Sequence, residues 1–143
     1  MVSIGRSLCV YISKATQMMT AYYNGRPIQG VTNVAISTAR PGKYTPTGTF
    51  SIGELAGRSR VSGRYGGAAL YYAMQLQGHI FLHATSQENY KDLGKPASAG
   101  CVRSTLQIAE YLNGLMRDVG GRRSNGHIQD SSQIRVVITP NTF

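Results

Sequence analysis

Apolar positions along this chain come in short bursts broken by turn-forming residues, the rhythm of a β-rich domain rather than of a helical bundle. Residues 8–12 (LCVYI) are apolar and rich in β-branched side chains, which predicts a buried opening strand. Residues 18–23 and 28–31 flank Asn24-Gly25, a dipeptide whose easy positive φ suits a tight hairpin, while Pro27 bars a central ladder position just after it. A further strand is expected over 34–37, ended by Arg40-Pro41-Gly42, and another over 49–53 after the turn-rich Thr45-Pro46-Thr47-Gly48. Four glycines and three arginines without periodicity make 56–67 a loop. Strands are then expected over 69–76 and 79–83, joined at Gln77-Gly78, and residues 86–100 are polar and turn-rich. The one convincing helix follows at once. Ser104 or Thr105 can cap it, and Ile108, Ala109, Leu112, Leu115 and Met116 recur on one face until Gly120-Gly121 stops it. Residues 121–132 read as loop and 134–139 as a closing strand before Pro140. The fold class expected is mainly β with one principal helix.

Composition narrows the picture. At 143 residues and 15.5 kDa the expectation is a single domain spanning 1–143, large enough to bury a core without staples. Hydrophobic residues at 41% against 15% charged exclude disorder. No run approaches the ~20 apolar residues of a membrane span, and the amino terminus lacks the apolar stretch of a secretory signal. Fifteen lysines and arginines against six acidic residues give +9, so an anionic partner is expected. The basic residues are scattered, with short clusters at Arg58, Arg60 and Arg64 and at Arg122 and Arg123, and no recognition helix or zinc-finger spacing accompanies them. Nucleic acid is therefore not the expected partner.

The candidate chemistry centres on Cys101. Its place just ahead of a helix start would put the thiol where backbone N–H groups and the helix dipole favour a thiolate, and Gly100 lets the backbone approach a substrate and main-chain N–H groups point toward a developing oxyanion. The alternative is an ordinary buried cysteine. His83, eighteen positions upstream at the end of an apolar strand, supplies the base that a cysteine acyl-transfer pair needs. His79 and His83 share a spacing compatible with a metal, but no third ligand or acidic base is suitably placed, so no metal is expected. Cys9 reads as a small buried hydrophobe and His127 as solvent-exposed.

With these residues in place the chain resembles the L,D-transpeptidase catalytic domain, the YkuD-like family of peptidoglycan enzymes. His83-Ala84-Thr85, a loop, then Ser98-Ala99-Gly100-Cys101-Val102-Arg103 is similar to the family's histidine, loop and Ser/Thr-His-Gly-Cys-hydrophobic-Arg/Asn signature, and the fourteen residues between His83 and Ser98 suit its spacing. Ala35-Ile36-Ser37-Thr38 followed by Thr45-Pro46-Thr47-Gly48-Thr49-Phe50 resembles two further family motifs, and the first hairpin is similar too. One position departs: Ala99 stands where the family usually has histidine, which puts rate and acceptor choice in question.

The resemblance implies a β-sandwich of mixed sheets with the helix after the cysteine packed on one of them. It implies that Cys101 attacks the bond between diaminopimelate and D-alanine of a tetrapeptide stem, with His83 as base, Gly100 and Cys101 as oxyanion donors and no cofactor. Arg103 is then a candidate for substrate carboxylates or for anchoring the loop, with Ser98, Thr85 and Tyr72 as further lining candidates. The thioester would pass to a second stem, a D-amino acid, a lipoprotein lysine or water. A cysteine hydrolase of the NlpC type fits less well, because there the cysteine precedes the histidine. The alternative is a degenerate domain that binds peptidoglycan without turnover. The implied place of action is the periplasm or cell envelope. Without a visible signal, the expectations are an excised domain, a removed leader, or an antibacterial effector delivered by another route and matched by an immunity protein.

Overall fold

The computed structural model describes residues 6–57 and 70–140. Two mixed sheets and one long helix carry the fold. The larger sheet holds β1 (Leu8–Ser13), β2 (Met18–Tyr23), β3 (Arg26–Pro27), β4 (Val34–Ala35), β5 (Gly48–Phe50) and β9 (Ile134–Thr139) in the order β3-β2-β1-β9-β5, with β4 also on β2. The smaller sheet is β6 (Tyr71–Gln77), β7 (Ile80–Ala84) and β8 (Val102–Ser104). β1 and β9 run parallel, as do β7 and β8; the other strand pairs are antiparallel.

Period-two alternation builds the larger sheet's inner face. Leu8, Val10 and Ile12 lie opposite Ile134, Val136 and Ile138 on one side, and Val10 and Ile12 opposite Ala21 and Met19 on the other. All eight are buried. Burying a single Leu, Ile, Val or Met side chain of this kind stabilises by about 1.5–3 kcal/mol, so these rows fix the register. The same alternation corrects the expectation for Cys9. It falls on the outward parity with Tyr11, is half-buried, and lies opposite Tyr22 and Arg135.

Helix α1 (Leu106–Gly120) packs Ala109, Leu112 and Met116 into the core shared by both sheets. Thr105 caps it, its Oγ1 accepting the Ile108 N–H at 3.4 Å. Buried Asn113 donates to the carbonyls of Ala56, Tyr72 and Ala73, fastening the helix to β6. Gly121, with φ +73°, ends the helix. Gly120 is glycine for a different reason: a Cβ there would strike the Asp130 carbonyl and the Ile128 side chain.

Several expected elements shift. Residues 28–31 are not a strand, because Pro27 closes β3 at the sheet edge; the chain turns back, and the Ile28 and Val31 side chains reach the core through it. The strand expected over 34–37 splits into Val34–Ala35 on β2 and a single bridge from Ser37 to Arg103, and that over 49–53 shrinks to Gly48–Phe50. A 3₁₀ helix, Gln87–Asp92, interrupts the polar stretch after β7. The helix does not follow Cys101 at once, since β8 intervenes. Most of the expected loop over 56–67, with Arg58, Arg60 and Arg64, lies outside the described residues, as does Ala69.

Candidate active site

The smaller sheet sets the segments that carry the two expected catalytic residues side by side. β8 pairs with β7 in parallel, Leu82 opposite Val102 and His83 opposite Arg103. Leu82, Ala84 and Val102 face the main core, whereas Phe81 joins Cys101, Ala56, Leu70 and Ala73 in a smaller apolar cluster, so His83 shares the parity of the Cys101 side. Cys101 stands one residue ahead of β8, offset by two residues from His83 on the neighbouring strand, a Cα separation of about 8 Å for ordinary sheet spacings. Both side chains are buried, and Arg103 exerts its charge on both.

The imidazole is tightly defined. His83 Nδ1 lies 2.8 Å from the Ala84 carbonyl, and a carbonyl can only accept, so Nδ1 carries the proton and Nε2 is the bare acceptor. Burial pushes the pKa of His83 down to about 4; the Ala84 carbonyl opposes this and the Arg103 guanidinium adds to it. The ring is therefore neutral at pH 7 and able to take a proton. The Cys101 thiol donates to the His79 carbonyl at 3.4 Å and accepts the Phe81 N–H at 3.4 Å. The first contact favours S–H and the second favours S⁻. The helix dipole contributes nothing here. Four extended residues put Cys101 about 13 Å from the Thr105 cap, beyond the first-turn range of the dipole. The sequence misled because the helical pattern starts at Leu106 and nothing in Val102-Arg103-Ser104 announces a strand until Val102 is seen opposite Leu82.

A buried hydrogen-bond net shapes the turn ahead of the nucleophile. Ser98 Oγ accepts the Gly100 N–H at 3.0 Å and donates to the Cys101 carbonyl at 2.5 Å. Thr45 Oγ1 donates to the Gly100 carbonyl at 2.6 Å and accepts the Ala39 N–H at 2.9 Å. Gly100 adopts φ +144°, a conformation that side-chain-bearing residues rarely reach. Beneath lies the segment 36–40: Ser37 and Arg103 exchange backbone bonds, Ala97 and Ser98 donate to the Thr38 carbonyl, and Arg40 donates to the Ser98 carbonyl. Gln17 locks that segment from the β1–β2 turn, accepting the Thr38 N–H and donating to Thr38 Oγ1 at 2.7 Å.

This net redistributes the expected roles. Ser98 is only 1% exposed and shapes the turn instead of lining a substrate cleft. The Gly100 N–H, expected as an oxyanion donor, is the one Ser98 holds. Thr85 is buried, accepts from Asn89 Nδ2 at 3.1 Å and supports the 3₁₀ helix. Tyr72 sends its hydroxyl to Glu110 on α1 at 3.1 Å. Arg103 is half-buried beside the pair, its guanidinium disfavoured by burial and favoured by Asp92. Ala99 is half-buried and His127 exposed. Thr45, Thr38 and Gln17 escaped the sequence reading as site residues; the one signal was a hydroxyl inside a Pro-Gly turn. Among the described residues no three His, Cys, Asp or Glu side chains gather as metal ligands, and no helix is long and apolar enough to cross a membrane.

The family model for the L,D-transpeptidase catalytic domain, YkuD, matches residues 8–129. The chain belongs to that family. The fold is similar to an L,D-transpeptidase from Mycobacterium tuberculosis H37Rv, with a TM-score of 0.73 at 18% identity over 95% of this chain and 59% of that one. It is similar to one from Stackebrandtia nassauensis, with a TM-score of 0.69 at 18% identity over 95% and 58%. It also resembles the catalytic domain of the Enterococcus faecium enzyme, with a TM-score of 0.66 at 15% identity over 96% and 100%. This YkuD chain thus spans about three fifths of the length of the mycobacterial structures and the full length of the enterococcal domain. A search of the curated proteins finds no match.

Proposed function

We propose that this YkuD domain is a peptidoglycan-modifying cysteine acyltransferase that cleaves the diaminopimelate–D-alanine bond of tetrapeptide stems. The observation that carries the reading is the neutral His83, its Nδ1 committed to the Ala84 carbonyl, on the strand beside Cys101. Nε2 takes the thiol proton as sulfur attacks the carbonyl carbon, and returns it to the departing D-alanine amine. The Cys101 N–H is the oxyanion donor. Arg103, half-buried opposite His83 on the neighbouring strand, would hold a stem carboxylate through its guanidinium fork. The +9 chain suits a carboxylate-rich polymer in the cell envelope.

The thioester then passes to a stem amine, a free D-amino acid, a lipoprotein lysine or water, giving a 3-3 cross-link, an exchanged residue, a lipoprotein linkage or a trimmed tripeptide. An antibacterial effector with a cognate immunity protein is one setting for such a domain. The second reading, a domain that binds peptidoglycan without turnover, is favoured by Ala99, which lacks the hydrogen-bonding ring usual in the motif.

Mass spectrometry of tetrapeptide muropeptides incubated with the protein, with and without an added D-amino acid, separates the two. Loss or exchange of D-alanine that is absent with Cys101→Ala is expected, and the product names the acceptor. Unchanged stems with the native protein would overturn turnover of these stems and point to the binding reading or to a different acyl substrate.

A further inference from the structure

The peptide unit between Gly100 and Cys101 is trans, so its carbonyl and its N–H point in opposite directions on one rigid plane. Thr45 Oγ1 grips the carbonyl end at 2.6 Å. The opposite end of that plane is the Cys101 N–H. Whatever sets the direction of the carbonyl therefore sets the direction of the N–H. We infer that Thr45 is the positioning residue that aims the Cys101 N–H at the developing oxyanion.

Thr45 is itself immobilised. Its hydroxyl accepts the Ala39 N–H at 2.9 Å, which leaves the hydroxyl proton for Gly100, and its own carbonyl accepts the Lys14 ammonium at 2.5 Å. The side chain is fully buried, so water does not compete for either bond. Ser98 fixes the planes on both sides, through the Gly100 N–H and the Cys101 carbonyl, and leaves the middle plane to Thr45. A hydroxyl bonded to the carbonyl also polarises the amide and strengthens the N–H as a donor, as hydrogen-bond chains do in low dielectric. A merely structural hydroxyl would hold the turn; this one in addition sets the direction and strength of one catalytic donor.

The inference rests on Cys101 as acyl nucleophile, and the test avoids dependence on the peptide substrate. p-Nitrophenyl acetate reports acylation: an S–C bond forms, the C–O bond breaks, the thiol proton goes to His83 and p-nitrophenolate leaves through an oxyanion-bearing intermediate. Iodoacetamide reports alkylation of the same sulfur with no oxyanion. In Thr45→Val the acylation burst is expected to fall about 10- to 100-fold, short of the loss for deleting a whole donor, while alkylation stays within about twofold because the thiol and its base are unmoved. Thr45→Ser, which keeps the hydroxyl, is expected to restore acylation. If Thr45→Val fails to fold, Thr45→Ala against Thr45→Ser reads the same split. Parallel loss of both reactions, or acylation unchanged without the hydroxyl, would overturn the inference. Native protein that alkylates but never acylates at Cys101 would instead remove the nucleophile on which it rests, and the inference with it.

Discussion

At the scale of single residues, His83 stores a pH dependence. Its pKa is about 4 in the fold and near 6.5 in the unfolded chain, so between these values the unfolded state binds more protons. Stability from this group is complete above pH 6.5 and declines as pH falls toward 4. The loss between pH 7 and pH 4 is about 3 kcal/mol. Urea unfolding of the native protein and of His83→Gln across that range is expected to show the difference as a slope present in the first and missing in the second. His83→Gln should also lose acyl transfer by about 10²–10⁴-fold, read from D-alanine release. Cys101, His83 and Arg103 were legible in the sequence as candidates, from residue type and order, and β7 and β8 bring the segments that carry them side by side. Ser98, Thr85 and Tyr72 were legible as positions but not as roles. A side chain's direction depends on the partner it finds, and Glu110 for Tyr72 or Asn89 for Thr85 comes from a different element.

At the scale of elements, the helix and its glycine carry two tests. Asn113→Ala removes the clamp from α1 to the carbonyls of Ala56, Tyr72 and Ala73, stranding buried acceptors, and should cost about 2–3 kcal/mol in urea unfolding. Gly120→Ala raises helix propensity, yet its methyl meets the Asp130 backbone and Ile128, so a net loss of about 1–3 kcal/mol is expected where propensity alone would forecast a gain. Most strands were readable from apolar runs bounded by Gly, Pro and Asn. The failures share one cause. Residues 28–31 and 102–104 are short, and whether such a segment becomes a strand is decided by its neighbour: 28–31 turns on itself and meets β2 at Ala21 alone, whereas β7 offers Leu82–Ala84 to β8. That outcome moved the helix away from the cysteine and took its dipole out of the chemistry.

At the scale of the whole molecule, the charge of +9 acts at long range. Cosedimentation of Cys101→Ala with purified sacculi is expected to weaken as salt rises from 50 to 500 mM, since screening shortens the reach of such charge to a few ångströms (about 4–5 Å at the upper end). Binding indifferent to salt would mean that the basic surface plays no part. The mixed, two-sheet plan with its helix was legible from the motif order, because the family resemblance fixed what short strands alone leave open.

The parallel pairing of β1 with β9 has a consequence for how the molecule comes into being. Leu8 waits for Ile134, and β9 separates β1 from β5 in the middle of the larger sheet. A ribosome that has delivered β1 to β8 has therefore delivered a sheet with its central seam open, and local contacts cannot close it. Pairings so distant along the chain fold slowly. Until Ile134–Thr139 has been made, β1 and β5 have no strand between them, and the larger sheet is two separate pieces.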